Sequence, residues 1–100
     1  MTTIELVRDK RRFYTLVDGH AGYDDAGRDI VCAGVSALTY ALAAGLNDCG
    51  VLLKYESGDG REEMYGAGGA ARVLFRTFEL AVQELARQYP EHVRVNGTVQ

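Results

Sequence analysis

The stretch from Ile30 to Leu46, IVCAGVSALTYALAAGL, carries no charge and is apolar on nearly every side of a helix. A helix at the surface of a globular protein shows one apolar stripe and a polar face, so this one must be buried on more than one side. In a chain of 100 residues that demand shapes the rest of the fold, because a domain of this size has one modest core to offer. Asp29, just before the run, is a good N-cap: its carboxylate accepts from the free N–H groups of the first turn. GLNDCG, from Gly45 to Gly50, is expected to stop the helix. Ala33, Gly34, Ala37, Ala41 and Ala44 keep it slim enough for another backbone to approach closely, which suggests a helix shared with a second copy of the chain. Cys32, Ser36, Thr39 and the glycines suit a buried soluble helix, and no apolar run is read as long enough to span a bilayer.

The segments on either side read as hairpins. In TIELVRDKRRFYTLVDG, Ile4 and Leu6 alternate with Thr3 and Glu5, charge collects at Asp9–Arg12, and Phe13 to Val17 resumes a β-rich run. His20 then falls at the strand's end or at the start of a loop, Ala21 to Arg28, that contains Gly22, Gly27, Asp24 and Asp25 and no periodic apolar pattern. Val51 to Tyr55 and Arg61 to Tyr65 flank a turn at Ser57–Gly60 and form a second hairpin. GAGGAA leads into a second helix, with Ala71, Leu74, Phe78, Val82 and Leu85 at three- and four-residue spacing and Pro90 at its end. Val93 to Val95 offers a short last strand. The expected fold is α+β, a two-layer β-β-α-β-β-α domain over residues 1–100 with a mainly antiparallel sheet and both helices packed on it.

A composition of 47% apolar and 25% charged residues is that of a globular protein, which excludes disorder over most of the length. The net charge of −3 argues against a nucleic-acid binder, which would show a basic patch. The one basic run, Arg8, Lys10, Arg11 and Arg12, is interrupted by Asp9 and reads as a solvated turn, although RNA or an acidic partner would also find it. With no signal peptide behind Met1, the expected compartment is the cytoplasm, where two cysteines are free thiols rather than a disulfide.

The chemistry gathers at the start of the apolar helix. If Asp29 is the cap, Cys32 is the third helical residue, beside unpaired N–H groups and the positive end of the helix dipole, both of which favour a thiolate. The same N–H groups could hold an oxyanion. His20 reaches that helix start if the short loop folds back, and a histidine beside a thiolate can protonate a leaving amine. Cysteine is also among the most buried residue types, so a packed Cys32 stands beside the nucleophile as a reading. Asp29 reads as the cap and, compatibly, as an orienting carboxylate for His20; Ser36 lies one turn beyond Cys32 on the same face, as a small helix residue or a supporting group.

Other schemes fit worse. A phosphatase would need an arginine six positions after the cysteine, where Leu38 stands. There is no C-x-x-C pair. His20, Cys32, Cys49 and His92 contain no close ligand pair for zinc, and Cys49 and His92 read as incidental. GAGGAA lacks the βαβ context of a dinucleotide fingerprint. No cofactor or metal is expected.

GHAGYDDAGRDIVCAGVSAL, from Gly19 to Leu38, resembles the ribosomal-processing cysteine protease family, often called Prp. Its Gly-His-Ala, the short glycine-containing loop and Asp-Ile-Val-Cys-Ala carry the likeness, which extends over nearly the whole chain. The resemblance implies a cysteine endopeptidase that removes an N-terminal extension from large-subunit ribosomal protein twenty-seven during ribosome maturation. It implies Cys32 as nucleophile, His20 as general base and acid, Asp29 and Ser36 as associated residues, and a gating role for Ala21–Arg28. Gly19, Ala21, Gly22 and Ala33 are then expected along the bound peptide. The partners implied are the ribosomal protein substrate and a second copy of the chain, with neither nucleic acid nor membrane required. The competing class is a non-catalytic ribosome-associated binding or assembly factor in which Cys32 is merely packed.

Overall fold

The computed structural model describes residues 1–25 and 27–100, so Ala26, within the expected Ala21–Arg28 loop, lies outside the described residues. In chain order the elements are β1 (Thr2–Asp9), β2 (Arg12–Asp18), α1 (Ile30–Asp48), β3 (Leu52–Gly58), β4 (Arg61–Ala67), α2 (Gly69–Gln88) and β5 (Val93–Gly97). The strands form one sheet in the order β3-β4-β2-β1-β5. Every neighbouring pair is antiparallel except β1 and β5, which run parallel because α2 carries the chain back across the sheet. The α+β architecture expected from the two hairpin-and-helix units is what the chain forms.

Strand alternation fixes which face is covered. Phe13, Thr15 and Val17 of β2 are buried, and across the ladder Phe13 faces Gly66 and Thr15 faces Met64, so these residues share one side of the sheet with Ile4 and Leu6. Against that side pack Val31, Val35, Leu42 and Leu46 of α1 and Ala71, Phe75, Phe78 and Val82 of α2. The rings of Phe13 and Phe75 stack at 5.6 Å between centroids. Each fully buried side chain of this size stabilises the fold by about 1.5–3 kcal/mol. On the open face the Tyr14 hydroxyl donates to Glu63 at 2.8 Å, and burial together with that carboxylate pushes the Tyr14 phenol up to about 12.

The first helix ends within GLNDCG, as expected: Gly45 lies inside it against the Leu74 side chain, and the chain turns out of the helix at Gly50, whose φ is 69°. There Gly50 N–H donates to the Asn47 carbonyl and Val51 N–H to that of Leu46, a Schellman closure that satisfies the last carbonyls. In two other respects it departs from expectation. The single chain does not bury the helix all round. Val31, Val35, Thr39, Leu42 and Leu46 form one buried stripe, while Ile30, Ala33, Ala37, Tyr40, Ala41 and Ala44 are exposed. Finally, α1 is long and apolar enough, by length and composition, to cross a membrane, contrary to the sequence reading. Its buried stripe is nonetheless part of the same core as the sheet and α2.

The basic run lies at the exposed β1–β2 turn, where Arg8 Nε–H donates to the Lys10 carbonyl and the guanidinium lies 5.4 Å from the Phe13 ring centroid. This is the solvated turn anticipated from its interruption by Asp9.

Candidate active site

The β2 strand ends at Asp18, and the Gly19 N–H donates to the Gly60 carbonyl at 2.9 Å, which fastens the strand's exit to the β3–β4 turn. His20 follows at the start of the loop. The turn that holds it is Asp59–Gly60, both with positive φ (53° and 73°), the backbone of a type I′ hairpin turn. A Cβ on Gly60 would sit 3.3 Å from His20 Nε2, so the turn lies close against the imidazole.

On the other side of the site Asp29 caps α1 as its sequence position predicts. Its φ and ψ are extended, Oδ1 accepts from Cys32 N–H at 2.8 Å, and Oδ2 accepts from Tyr23 N–H at 3.0 Å. The Cys32 N–H, helped by that of Tyr23, holds the Asp29 carboxyl below the usual carboxylate range. Both oxygens therefore face backbone amides. Neither is bonded to His20 among the described residues, and the geometry shows Asp29 as cap and loop fastener. The same bonds modify a second expectation. Cys32 N–H is engaged by Asp29 Oδ1, and Ala33 N–H by the Asp29 carbonyl at 3.0 Å, so these two donors are not free for an oxyanion.

Cys32 is half-buried as the third residue of α1, with its thiol free. Two cavities meet there. One, of about 330 Å³, opens towards the β3–β4 turn and is walled by Val17, Tyr40, and Ser57 to Glu62. The other, of about 570 Å³, lies under the loop and is lined by Gly22, Asp24, Gly27, Asp29 and Ala33. His20, Cys32 and Ser36 line both. Of the residues expected along a peptide, Gly19 lines the first cavity, Gly22 and Ala33 the second. Ala21 lines neither: it is 1% exposed, its methyl group part of the core. Its place beside the histidine in sequence gave no hint that the chain dips into the core there.

Residues 1–94 match the family described as Cysteine protease Prp. The chain belongs to that family. It is 27% identical to the ribosomal processing cysteine protease Prp of Staphylococcus aureus, over 96% of this chain and 98% of that one. Among solved structures, that of the S. aureus Prp with a covalently linked product peptide superposes with a TM-score of 0.83 at 25% identity, covering 96% of this chain and 98% of the other. The crystal structure of SMU.848 from Streptococcus mutans superposes with a TM-score of 0.73 at 30% identity, covering 96% and 92%. Family membership makes the chain a cysteine protease, and the Prp fold confirms the two-layer architecture.

Two parts of the candidate site were not legible in the sequence. The β3–β4 turn, read only as a hairpin connection, supplies a wall of the first cavity and the surface under His20. Asp59-Gly60 announced the turn type, but nothing local announced its neighbour across the sheet. His92, read as incidental, is in contact with the loop: its Nδ1 lies 3.0 Å from the Ala21 carbonyl. Cys49 is exposed at the far end of α1, and among the described residues no three metal-ligating side chains gather.

Proposed function

We propose that this chain is a cytoplasmic endopeptidase that removes the N-terminal extension of large-subunit ribosomal protein twenty-seven, using Cys32 and His20 as a dyad. The observation that carries the reading is that His20 and Cys32 border both cavities, so a peptide running from one to the other passes over the pair. The names of the relatives, ribosomal processing proteases, and the peptide bound to the S. aureus enzyme support the substrate class.

In this reading the Cys32 thiolate adds to the scissile carbonyl. The tetrahedral adduct collapses as His20 gives its proton to the leaving amine, which departs and leaves a thioester on Cys32. Water, deprotonated by His20, then adds to the thioester and releases the new carboxylate and the thiol. Ser36 borders the pair from one helical turn away. Asp29 acts upstream of the chemistry by fixing the helix start and Tyr23.

A homodimer belongs to the same proposal. Tyr40 on α1 and Val73 and Leu80 on α2 are all more than half exposed, and Ala33, Ala37, Ala41 and Ala44 of α1 are exposed as well. A second copy laid on this surface would give α1 the all-round burial its sequence demands.

The decisive experiment incubates the protein, and its Cys32→Ala variant, with the host's ribosomal protein twenty-seven, and reads the products by mass spectrometry. A single cut near the substrate's N-terminus, absent with the variant, is expected. An intact substrate with the native protein overturns the substrate assignment.

A further inference from the structure

His92 stands 71 residues after Ala21 in the chain and plays no part in the chemistry proposed above, yet its ring is aimed at the loop that follows His20. Its backbone is fixed on both sides. The His92 N–H donates to the Tyr89 carbonyl at 2.9 Å, and its own carbonyl accepts from Thr2 N–H at 2.9 Å, where β5 begins to pair with β1. From this fixed point Nδ1 meets the Ala21 carbonyl at 3.0 Å. An Nδ1–H serves that bond in the neutral Nδ1 tautomer and in the imidazolium alike. The ring also takes part in an aromatic group. Tyr23 lies edge-on to His92 at 5.4 Å and 82°, and edge-on to Tyr89 at 5.4 Å and 78°. Such contacts are favourable beyond the area they bury.

We propose that His92, with Tyr89, clamps the Ala21–Tyr23 segment and thereby acts as a positioning residue for His20. The argument rests on the dyad reading of the site. His20 sits between two fastened peptide groups: Gly19 N–H on the Gly60 carbonyl before it, and the Ala21 carbonyl on His92 after it. With both neighbours fixed, the backbone of His20 has little freedom, and its imidazole is held against the Gly60 turn. The second cavity runs beneath this segment, so the clamp also sets how far the loop stands off from Cys32. Tyr23 joins the two functions. Its ring is held by Tyr89 and His92, while its N–H is held by the same Asp29 carboxylate that caps the helix of Cys32. The C-terminal part of the chain thus reaches both halves of the dyad through one side chain and one carbonyl.

The test uses the full chain carrying Cys49→Ser, so that Cys32 is the only thiol, and compares His92→Ala, His92→Asn and His20→Ala. Asparagine keeps a donor where Nδ1 stood; alanine removes it. Two readouts are taken: amide hydrogen exchange across residues 21–25, and the rate of Cys32 alkylation by iodoacetamide at neutral pH. With His92→Ala, exchange in the segment is expected to rise about tenfold and alkylation to fall about tenfold, towards the His20→Ala rate, since a small displacement of a catalytic group has effects of this size. His92→Asn should restore most of both. A purely structural histidine would lower the melting temperature and leave the alkylation rate of the folded protein at its parent value. Unchanged exchange with His92→Ala overturns the clamp. Raised exchange with an unchanged alkylation rate, while His20→Ala slows it, overturns the positioning role. If His20→Ala alkylates like its parent, the dyad reading fails and the positioning role with it, whatever the exchange shows.

Discussion

Gly60 and Asp29 are the two residues whose local conformation the site depends on most. Gly60 combines a positive φ with a Cβ position 3.3 Å from His20 Nε2. In Gly60→Ala the backbone penalty of about 1 kcal/mol is modest. The displacement of the imidazole is the larger consequence, and peptide cleavage should fall by about a hundredfold under conditions where the variant remains folded by circular dichroism. Asp29 makes its prediction through pH. Its folded-state pKa is depressed by the Cys32 and Tyr23 amides, so its contribution to stability is present above the ordinary carboxylate pKa of 3.8 and is lost as pH falls through the lower, folded value. Asp29→Ala should melt a few degrees below the parent at pH 6, and the two melting curves should converge as pH drops below about 4. A gap that stays constant to pH 3 would show that the carboxylate's charge does not matter to the cap.

At the level of elements, α2 holds more than its apolar face announces. Glu79 is fully buried, with Arg76 at 2.8 Å and the Val99 N–H at 3.3 Å on the same oxygen. It fastens the segment after β5 to the helix. Glu79→Ala would leave a buried amide and an arginine unpartnered, and denaturant unfolding should show a loss of about 2 kcal/mol. Sequence periodicity could not assign this role, because a glutamate on an amphipathic helix normally marks the wet side. The hairpins and both helices were legible for the opposite reason. Ile4 and Leu6, or Ala71, Phe78 and Val82, repeat at the spacing of their own element, and that information is local. What the sequence left unread are meetings across distance: Ala21 in the core, Gly60 beneath His20, and His92 on the loop. The capping of Cys32 by Asp29 was readable because donor and acceptor are three residues apart. The parallel sense of β5 was not, since it depends on where α2 returns the chain.

For the whole molecule, the exposed half of α1 is the unresolved demand of its own sequence. Tyr40, Val73 and Leu80 should be covered in the proposed homodimer. Replacing Leu80 by Glu should then shift the protein from dimer to monomer in sedimentation velocity, by placing an unpaired charge in an apolar contact, and leave the fold of each chain intact. A parent protein that sediments as a monomer at micromolar concentration would refute the dimer.

The pairing of β5 with β1 also sets an order of events during synthesis. Thr2 and Ile4 face Val93 and Val95, so β1, made before either helix, waits for β5 before this edge is closed. His20 and Cys32 are made before His92, so the His92 contact with Ala21 forms after both. A chain not yet extended to His92 therefore carries the Cys32 thiol without the contact that fastens the loop beside it. With the clamp as proposed, competence would arrive only once His92 and β5 are in place.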